Sequence, residues 1–248
     1  MKKDLKINRR QFLTNTSFLS VGAITSLPAI ELLMQTKIKN ISKNLRSEKI
    51  TIVGVGGGGM NTVDNLIDLN LKGVQFIAVN TDFKSFETSK APTKLLIGEK
   101  ITKGKGANGN TLIGSRAAFQ SAGVIKKTFM DSHMVFVMAG LGGGTGTGAA
   151  SVIAKICKDI GAHVTAIVST PFSFEGEKRN KQAVEGILAL NKIVDTIIVK
   201  PNDRISERVG KDETILNMFK KADENIYHLI RSISDPIINS SCSEQNIL

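Results

Sequence analysis

Short uninterrupted apolar runs alternate along this chain with longer segments in which apolar residues recur every three or four positions. The first pattern is typical of strands that are buried on both faces, and the second of helices that pack one face against a sheet. The runs predict six strands, at residues 49–55, 74–79, 93–97, 134–139, 163–168 and 194–199. Four helices are predicted at about residues 112–130, 149–160, 177–191 and 213–234, and a fifth directly follows the first strand.

Strands that alternate with helices throughout the chain indicate an α/β fold, a doubly wound (Rossmann-like) parallel sheet. Pro236 is predicted to end the last helix, because the residue before a proline disfavours the helical conformation. The polar and glycine-rich segments fall at the carboxyl ends of the predicted strands, where sheets of this class bind their ligands. The pattern therefore places the candidate chemistry along one edge of the sheet.

A glycine-rich segment at residues 141–148, with the sequence LGGGTGTG, separates the fourth predicted strand from the helix that follows. A structural turn requires one or two glycines, whereas this segment has five. Several backbone N–H groups can converge on one anion there, because no side chain keeps a ligand away, and the helix N-terminus adds its partial positive charge. The hydroxyls of Thr145 and Thr147 can donate further hydrogen bonds. The segment is predicted to bind phosphate.

A second run of glycines, at residues 56–59, follows the first predicted strand. Together with Gly54 it satisfies Gly-x-Gly-x-x-Gly, and Asp82 lies about twenty residues further on, as in dinucleotide-binding proteins. An exported nicotinamide-dependent oxidoreductase is therefore one interpretation. The pattern is weak, because any run of glycines meets it, and a dinucleotide enzyme has no use for a second phosphate turn. Two such turns at neighbouring strand ends fit one nucleoside triphosphate better.

Candidate contacts to a nucleoside follow the later strands. Glu175 can accept hydrogen bonds from ribose hydroxyls with Arg179 one helical turn further on, although the spacing fits an ordinary i,i+4 ion pair equally well. Phe219 and Asp223 are also four residues apart, which places a ring and a carboxylate on one helix face. A carboxylate can accept from both N1–H and N2–H of guanine, whereas adenine lacks this pair of donors. Asn202 could complete the recognition of the base; considered alone, Phe219 fits a core position and Asp223 a solvated one.

Composition and charge exclude several classes of function. The hydrophobic fraction of 41% is that of an ordinary globular protein. The net charge of +11 lies mostly in residues 1–49, which carry ten Lys or Arg against three Asp or Glu. With one tyrosine, no tryptophan and no interleaving of aromatic with basic residues, no nucleic-acid partner is expected. The two cysteines have no metal-ligand spacing, and no protein-only metal site is predicted.

Residues 1–48 form a basic leader and linker that differ from the remainder of the chain. Arg9 and Arg10 precede Phe12 and Leu13, and a mildly apolar segment without charge follows, which resembles a twin-arginine export signal. The segment is too polar for a good transmembrane helix, and no clear small-x-small cleavage site follows it. We expect a cytoplasmic protein, with export through the leader as the alternative and membrane contact through the leader alone.

Five motifs, in this order and spacing, resemble those of FtsZ, the bacterial cell-division homologue of tubulin. They are IVGVGGGGMN at 52–61, FIAVNTD at 76–82, GGGTGTG at 142–148, PFSFEG at 171–176 and PNDR at 201–204. The similarity covers about residues 49–235. It implies a GTP-binding domain of the tubulin/FtsZ GTPase type that ends at the long central helix, with GTP or GDP bound together with Mg²⁺.

The resemblance also implies which residues contact the nucleotide. It assigns the binding of GTP to Gly57, Gly58, Gly59, Asn61, Asn80, Asp82, Gly143, Gly144, Thr145, Gly146 and Thr147. It places Glu175 on the ribose, Arg179 near phosphate and ribose, and Asn202, Phe219 and Asp223 around guanine.

The sequence departs from the family pattern at three places. Met60 replaces the last glycine of the first loop and is expected to crowd the phosphates. The third loop, Gly-Ala-Asn-Gly-Asn at residues 106–110, is scrambled relative to the usual Gly-Ala-Gly-Ala-Asn. The family continues after the long helix with an Asn-x-Asp-Phe-Ala-Asp loop and a second domain, whereas residues 236–248 are a short tail without paired aspartates.

These departures lead to an expectation about assembly and catalysis. In filaments of the family each GTP lies at a subunit interface, where the acidic loop of the next subunit polarises the attacking water. The chain is therefore expected to bind GTP without hydrolysing it through contacts with its own copies. The expected partners are further copies, or full-length FtsZ subunits whose filaments it modulates; a degenerate, non-polymerising GTP-binding relative is the alternative. The apolar side of the last helix, at Ile226, Leu229, Ile230 and Ile233, is expected to be exposed.

Overall fold

A computed structural model of the protein describes residues 19–20, 49–206 and 215–243. The strands of these residues are β1 Leu19–Ser20, β2 Ile50–Val55, β3 Val74–Asn80, β4 Thr93–Leu96, β5 Met134–Gly140, β6 His163–Thr170 and β7 Thr196–Pro201. They form one sheet in the order β1-β7-β6-β5-β2-β3-β4, and all neighbouring strands are parallel. The predicted doubly wound parallel sheet is confirmed. The predicted export signal and linker lie outside the described residues, apart from the two-residue strand β1.

Helices cover both faces of the sheet, so the domain has three layers. They are α1 Gly56–Asp68, α2 Glu99–Thr102, α3 Thr111–Gln120, α4 Ala122–Phe129, α5 Gly144–Asp159, α6 Glu177–Asn191, α7 Asn202–Ser206 and α8 Ile215–Ser243. One core lies between the sheet and helices α3 to α6, and the other between the sheet and helices α1 and α8. The strands supply both cores because their side chains alternate between the two faces, as Val53 and Ile52 do.

Three predicted helices have different bounds in the structure. Helices α1 and α5 begin inside the glycine runs, at Gly56 and Gly144, rather than after them. The segment predicted as one helix at 112–130 is two helices, α3 and α4, that meet at Ser121. The hydroxyl of Ser121 accepts a hydrogen bond of 2.9 Å from the backbone N–H of Gly98, which ties this junction to the neighbouring loop.

The last helix, α8, corrects two predictions. It continues through Pro236 to Ser243, since a proline removes only one backbone hydrogen bond from a helix whose apolar face is already packed. That face is not exposed as expected: Ile226, Ile230 and Ile233 are buried on the sheet, and Leu229 packs against the same cluster. The sheet itself therefore covers the apolar stripe. None of the helices in the described ranges combines the length and the apolar character needed to cross a membrane.

Candidate functional site

The carboxyl ends of β2, β3 and β5 border a cleft of about 280 Å³. Its lining comes from both glycine turns and from the loop that precedes α3. The lining residues are Gly56, Gly57, Gly58, Asn80, Asp82, Ser85, Lys105, Gly106, Ala107, Asn108, Gly109, Gly140, Gly143, Gly144, Thr145 and Gly146. Eight of the residues implied by the resemblance are thus brought together here, namely Gly57, Gly58, Asn80, Asp82, Gly143, Gly144, Thr145 and Gly146.

The N-termini of two helices, α1 and α5, point into this cleft without caps. The residues at the two N-cap positions, Val55 and Gly143, make no side-chain capping hydrogen bond, and neither first turn has an acidic residue. Helix α3, by contrast, is capped by Asn110, whose side-chain oxygen accepts from the N–H groups of Leu112 (3.0 Å) and Ile113 (3.2 Å). Uncapped N–H groups and two converging helix dipoles make the cleft a site for an anion.

The glycines of the two turns have two different roles. A Cβ on Gly59 would lie 2.2 Å from the carbonyl oxygen of Met138, and one on Gly146 would lie 2.3 Å from that of Gly140. These glycines are required because backbones pack against each other there. Around Gly57 and Gly143, apart from the chain neighbours and the adjoining helix backbone, no atom of the described residues lies within 4 Å of such a Cβ. Protein packing does not require glycine at 57 or 143, whereas close approach of a ligand does.

The two threonines of the second turn face different surroundings. The hydroxyl oxygens of Thr145 and Thr81 share a hydrogen bond of 2.7 Å at the cleft. Thr147 is buried outside the cleft lining, and its hydroxyl accepts a hydrogen bond of 2.8 Å from the backbone N–H of Gly142. Sequence reasoning could not distinguish the two threonines. The sequence analysis also missed Thr81 as a site residue, because Thr81 and Thr145 are 64 residues apart and only the fold brings them together.

Met60 does not crowd the cleft, so that expectation is wrong. Its side chain is buried on the inward face of α1 with Val63 and Leu66, because these positions share the helix stripe that packs on the sheet. Its sulfur accepts a hydrogen bond of 3.3 Å from Nδ2 of Asn80. Asn61, the next residue, is exposed and lies outside the cleft lining.

The loop at residues 105–109 closes one side of the cleft. Gly106, Asn108 and Gly109 have positive φ angles of 82°, 47° and 73°, which turn the chain around the opening. Lys105 forms an isolated antiparallel bridge with Asp82. Lys105 is the one basic side chain and Asp82 the one acidic side chain among the described lining residues. The sequence analysis did not identify Lys105, because a single lysine in a polar loop is an ordinary surface feature.

The residues assigned to ribose and base lie outside this lining. Glu175 and Arg179 form the i,i+4 ion pair, and Glu175 Oε1 also accepts a hydrogen bond of 2.9 Å from the N–H of Phe172. The ring of Phe219 meets the ring of Phe172 edge to face, with centroids 5.9 Å apart. Asn202 is buried, and its Oδ1 has no hydrogen-bond partner within the described part of the chain.

Asp223 is buried rather than solvated, and its carboxylate is already engaged. Oδ2 accepts a hydrogen bond of 2.7 Å from Nδ2 of Asn65 on α1. Oδ1 is 3.0 Å from Nζ of Lys200 at the end of β7 and accepts a long 3.5 Å contact from the hydroxyl of Thr62. The sequence analysis identified the carboxylate but missed Lys200, since a lysine at a strand end gives no sign of a partner 23 residues away.

Among the described residues no group of three or more His, Cys, Asp or Glu side chains could hold a metal ion by itself. Magnesium in nucleotide sites is bound largely through substrate phosphates and waters rather than by such a cage. Asp82 is the one acidic side chain among the described lining residues, and its carboxylate is the one that could contact a phosphate-bound Mg²⁺.

A parallel sheet with two glycine-rich helix N-termini at one cleft defines a phosphate-binding α/β protein. The sequence model described as "Tubulin/FtsZ family, GTPase domain" matches residues 49–210. The chain belongs to the tubulin/FtsZ family. This assignment favours the FtsZ resemblance over the nicotinamide-dependent alternative.

Solved structures agree with the family assignment. The "FtsZ dimer, empty" of M. jannaschii is 42% identical with a TM-score of 0.69, over 83% of this chain and 58% of that one. A mutant of M. jannaschii FtsZ is also 42% identical with a TM-score of 0.69, and the match covers 82% of this chain and 59% of that one. CetZ1 from Haloferax volcanii, described as a GDP-bound monomer, is 27% identical with a TM-score of 0.64, and the match covers 73% of this chain and 58% of that one. The chain thus spans less than two thirds of the length of these relatives.

Proposed function

We propose that this chain is a cytoskeletal GTP-binding protein of the FtsZ type and holds the phosphates of GTP or GDP, with Mg²⁺, in the cleft. The observation that carries the proposal is the convergence of two uncapped helix N-termini on one opening. The open space beside Gly57 and Gly143 supports it, because a phosphate can approach the backbone there. The GDP bound to CetZ1, a relative at 27% identity, is further support.

Each part of the cleft has a proposed task. The N–H groups of Gly57, Gly58 and residues 143–146 bind phosphate oxygens, and the Thr145 hydroxyl adds a donor. Gly59 allows α1 to approach β5, and Thr147 holds the second turn in shape through Gly142. Asn80 orders the end of β3, since its Oδ1 accepts the N–H of Thr81 at 2.8 Å. Asn61 is exposed in the second turn of α1 and is proposed to contact the nucleotide beyond the cleft lining.

The nucleoside is proposed to lie beyond the phosphates, toward β6, β7 and α8. Glu175 accepts from ribose hydroxyls, and Arg179, which is largely exposed, remains free to contact phosphate and ribose by leaving its ion pair. Phe219 provides a ring for the base to stack on. Asn202 offers a buried carbonyl oxygen without a partner among the described residues, and such an atom is destabilising unless a ligand satisfies it.

The nucleotide is further proposed to lie at an interface between subunits. FtsZ of M. jannaschii, at 42% identity, is described as a dimer, which supports self-association of this chain. Water activation is proposed to come from the acidic loop of a full-length FtsZ subunit that co-assembles with this chain and acts on the shared GTP.

Two measurements on the purified full chain test the proposal. Calorimetric titration with GTP and GDP should show saturable, Mg²⁺-dependent binding, and an absence of binding would contradict it. Phosphate release and light scattering should then be followed for the chain alone, for full-length FtsZ alone and for their mixture. Faster turnover or altered assembly in the mixture supports co-assembly, whereas a mixture equal to the sum of its parts supports a non-polymerising GTP-binding relative.

A further inference from the structure

The strand β7 lies near one edge of the sheet and lacks the features that usually protect an edge strand. Its residues 196–199, with the sequence TIIV, contain no charge and no proline. Ile197 is buried in one core, and Ile198 is buried in the other, so both faces of the strand are covered. Such a strand is typical of a sheet interior, and free N–H and C=O groups on its outer side would attract another strand.

The strand at the opposite edge of the sheet, β4, is protected in a different way. Pro92 directly precedes it, and the exposed Lys94 lies within it. Nζ of Lys94 donates a hydrogen bond of 2.8 Å to the carbonyl oxygen of Phe86. Proline and lysine are residues with which natural sheets protect a free edge. The sequence of β4 therefore fits a free edge, whereas that of β7 fits a strand with a neighbour on each side.

The outer neighbour of β7 comes from the leader of the chain. Leu19 and Ser20 form β1 and pair in parallel with Ile198 and Val199 of β7. Both leader residues lie within the uncharged segment at residues 11–30. An apolar segment without charge is suited to a strand position beside the equally apolar β7.

The chain between β1 and β2 is long enough for the leader to reach this edge of its own domain. The two strands are four positions apart in the sheet, which is about 20 Å at the usual strand spacing. Residues 21–49 can span up to about 95 Å, so the connection imposes no strain.

We propose that the outer edge of β7 is a docking site for an extended, uncharged segment, and that the leader of the same chain occupies it through Leu19 and Ser20. The docked leader covers β7 and thereby prevents strand pairing between copies of the chain. This role goes beyond the proposed nucleotide binding and does not depend on it.

Pairs of introduced cysteines test the docking and its register in the full chain. Positions 20 and 199 are partners, so Ser20→Cys with Val199→Cys should form a disulfide, because partners in register lie on the same face of the sheet. The control combines Ser20→Cys with Ile198→Cys, which is one residue out of register and therefore on the opposite face. Both pairs are made with Cys242→Ser, and Cys157 is retained because it is buried.

Mass spectrometry of the oxidised, unreduced protein measures the disulfides. The in-register pair should be linked within one chain at least about fivefold more than the control pair. Equal linkage of the two pairs, or none, would overturn the proposal, since the segment would then have no fixed position on β7. A disulfide that joins two chains would also overturn it, because the leader of a second copy would then occupy the edge.

The double variant Leu19→Pro with Ser20→Pro tests what the docked segment does. Proline cannot donate to a strand ladder, so the outer amides of β7 should exchange with deuterium at least about tenfold faster than in the wild type. Without nucleotide the variant should also associate into larger species as its concentration rises, as measured by light scattering after gel filtration. Gln35→Pro with Thr36→Pro is the control, which places the same change elsewhere in the leader and should leave both properties unchanged.

Unchanged exchange of β7 in the Leu19→Pro and Ser20→Pro variant would overturn the proposal, and so would a variant that stays as monodisperse as the control. Neither measurement requires nucleotide. A failure of this inference is therefore distinguishable from a failure of GTP binding, which calorimetric titration of the wild type reports separately.

Discussion

The backbone nitrogen of Gly146 lies 2.8 Å from the position that a Cβ on Gly56 would occupy, so the two glycine turns are in direct backbone contact. One turn follows β2 and the other follows β5, and these strands are neighbours in the sheet. The register of two adjacent parallel strands therefore fixes the distance between the two helix N-termini. A ligand that binds one turn is held within reach of the other, which suits a chain of linked phosphates better than a single small anion.

Substitution of Gly57 by alanine should separate ligand binding from stability. A methyl group there meets no described atom, and alanine is the better helix former, so the free energy of unfolding should rise by up to about 1 kcal/mol. The same methyl group would take up the space proposed for a phosphate, so the affinity for GTP should fall by about tenfold or more. Calorimetry and urea unfolding measure the two effects.

Gly123→Ala is the matched control for this substitution. Gly123 is the second residue of α4 as Gly57 is of α1, and it too has open space around a Cβ. It should gain similar stability with unchanged GTP affinity. If Gly57→Ala binds GTP as the wild type does, the phosphates do not approach α1 and the cleft assignment fails.

Lys105→Met should weaken binding of GTP more than binding of GDP. Lys105 is the one basic side chain among the described lining residues, and the third phosphate adds negative charge for it to attract. The loss for GTP should be about three- to tenfold at low salt and should shrink as salt screens the open cleft. Lys103→Met, in the same loop but outside the lining, is the control. Equal losses for GTP and GDP would show that Lys105 does not contact the third phosphate.

Particular residues show how far the sequence determines this picture. The strands were predictable because buried parallel strands are apolar along their whole length, and the two phosphate turns because excess glycine has few structural explanations. The sequence does not predict that α1 and α5 begin within those glycines, because glycine is a poor helix former and only tertiary contacts make it helical here. The inward direction of Met60 depends on how α1 is rotated about its axis, and the local sequence does not determine that rotation. The pairing of Lys200 with Asp223 depends on a contact between residues distant in sequence, which a local pattern cannot predict.

Asp195→Asn should lower stability at neutral pH. Burial raises the pKa of Asp195, but hydrogen bonds from Lys158 and the N–H of Val164, with the nearby His163, together hold it below its usual 3.8. The carboxylate therefore stabilises the fold above its unfolded pKa, and the contribution is lost as the pH falls through the lower folded value. Asparagine should reduce the free energy of unfolding at pH 7 by about 1–2 kcal/mol.

Urea unfolding between pH 7 and pH 3 checks this prediction. The wild type should lose part of its stability below pH 3.8, and the difference between the wild type and Asp195→Asn should narrow there. Asp131→Asn is the control. The Asp131 side chain is 80% exposed and its Oδ2 lies 3.7 Å from Nζ of Lys49, a long and solvent-screened ion pair, so this substitution should change the free energy of unfolding by less than about 0.5 kcal/mol. A pH-independent difference for Asp195→Asn would mean that packing rather than charge is lost.

Met60→Ala should destabilise the fold while leaving the phosphate site intact. The side chain is 3% exposed and lies in the core between α1 and the sheet, so its truncation should cost about 2–4 kcal/mol in the free energy of unfolding. Met60→Leu conserves volume and should cost less than about 1.5 kcal/mol. Because neither side chain reaches the cleft, GTP affinity measured well below the melting temperature should stay within about threefold of the wild type for both variants. A marked gain in GTP affinity for Met60→Ala, with Met60→Leu unchanged, would instead mean that the methionine does restrict the phosphates and that its core position is not kept when nucleotide binds.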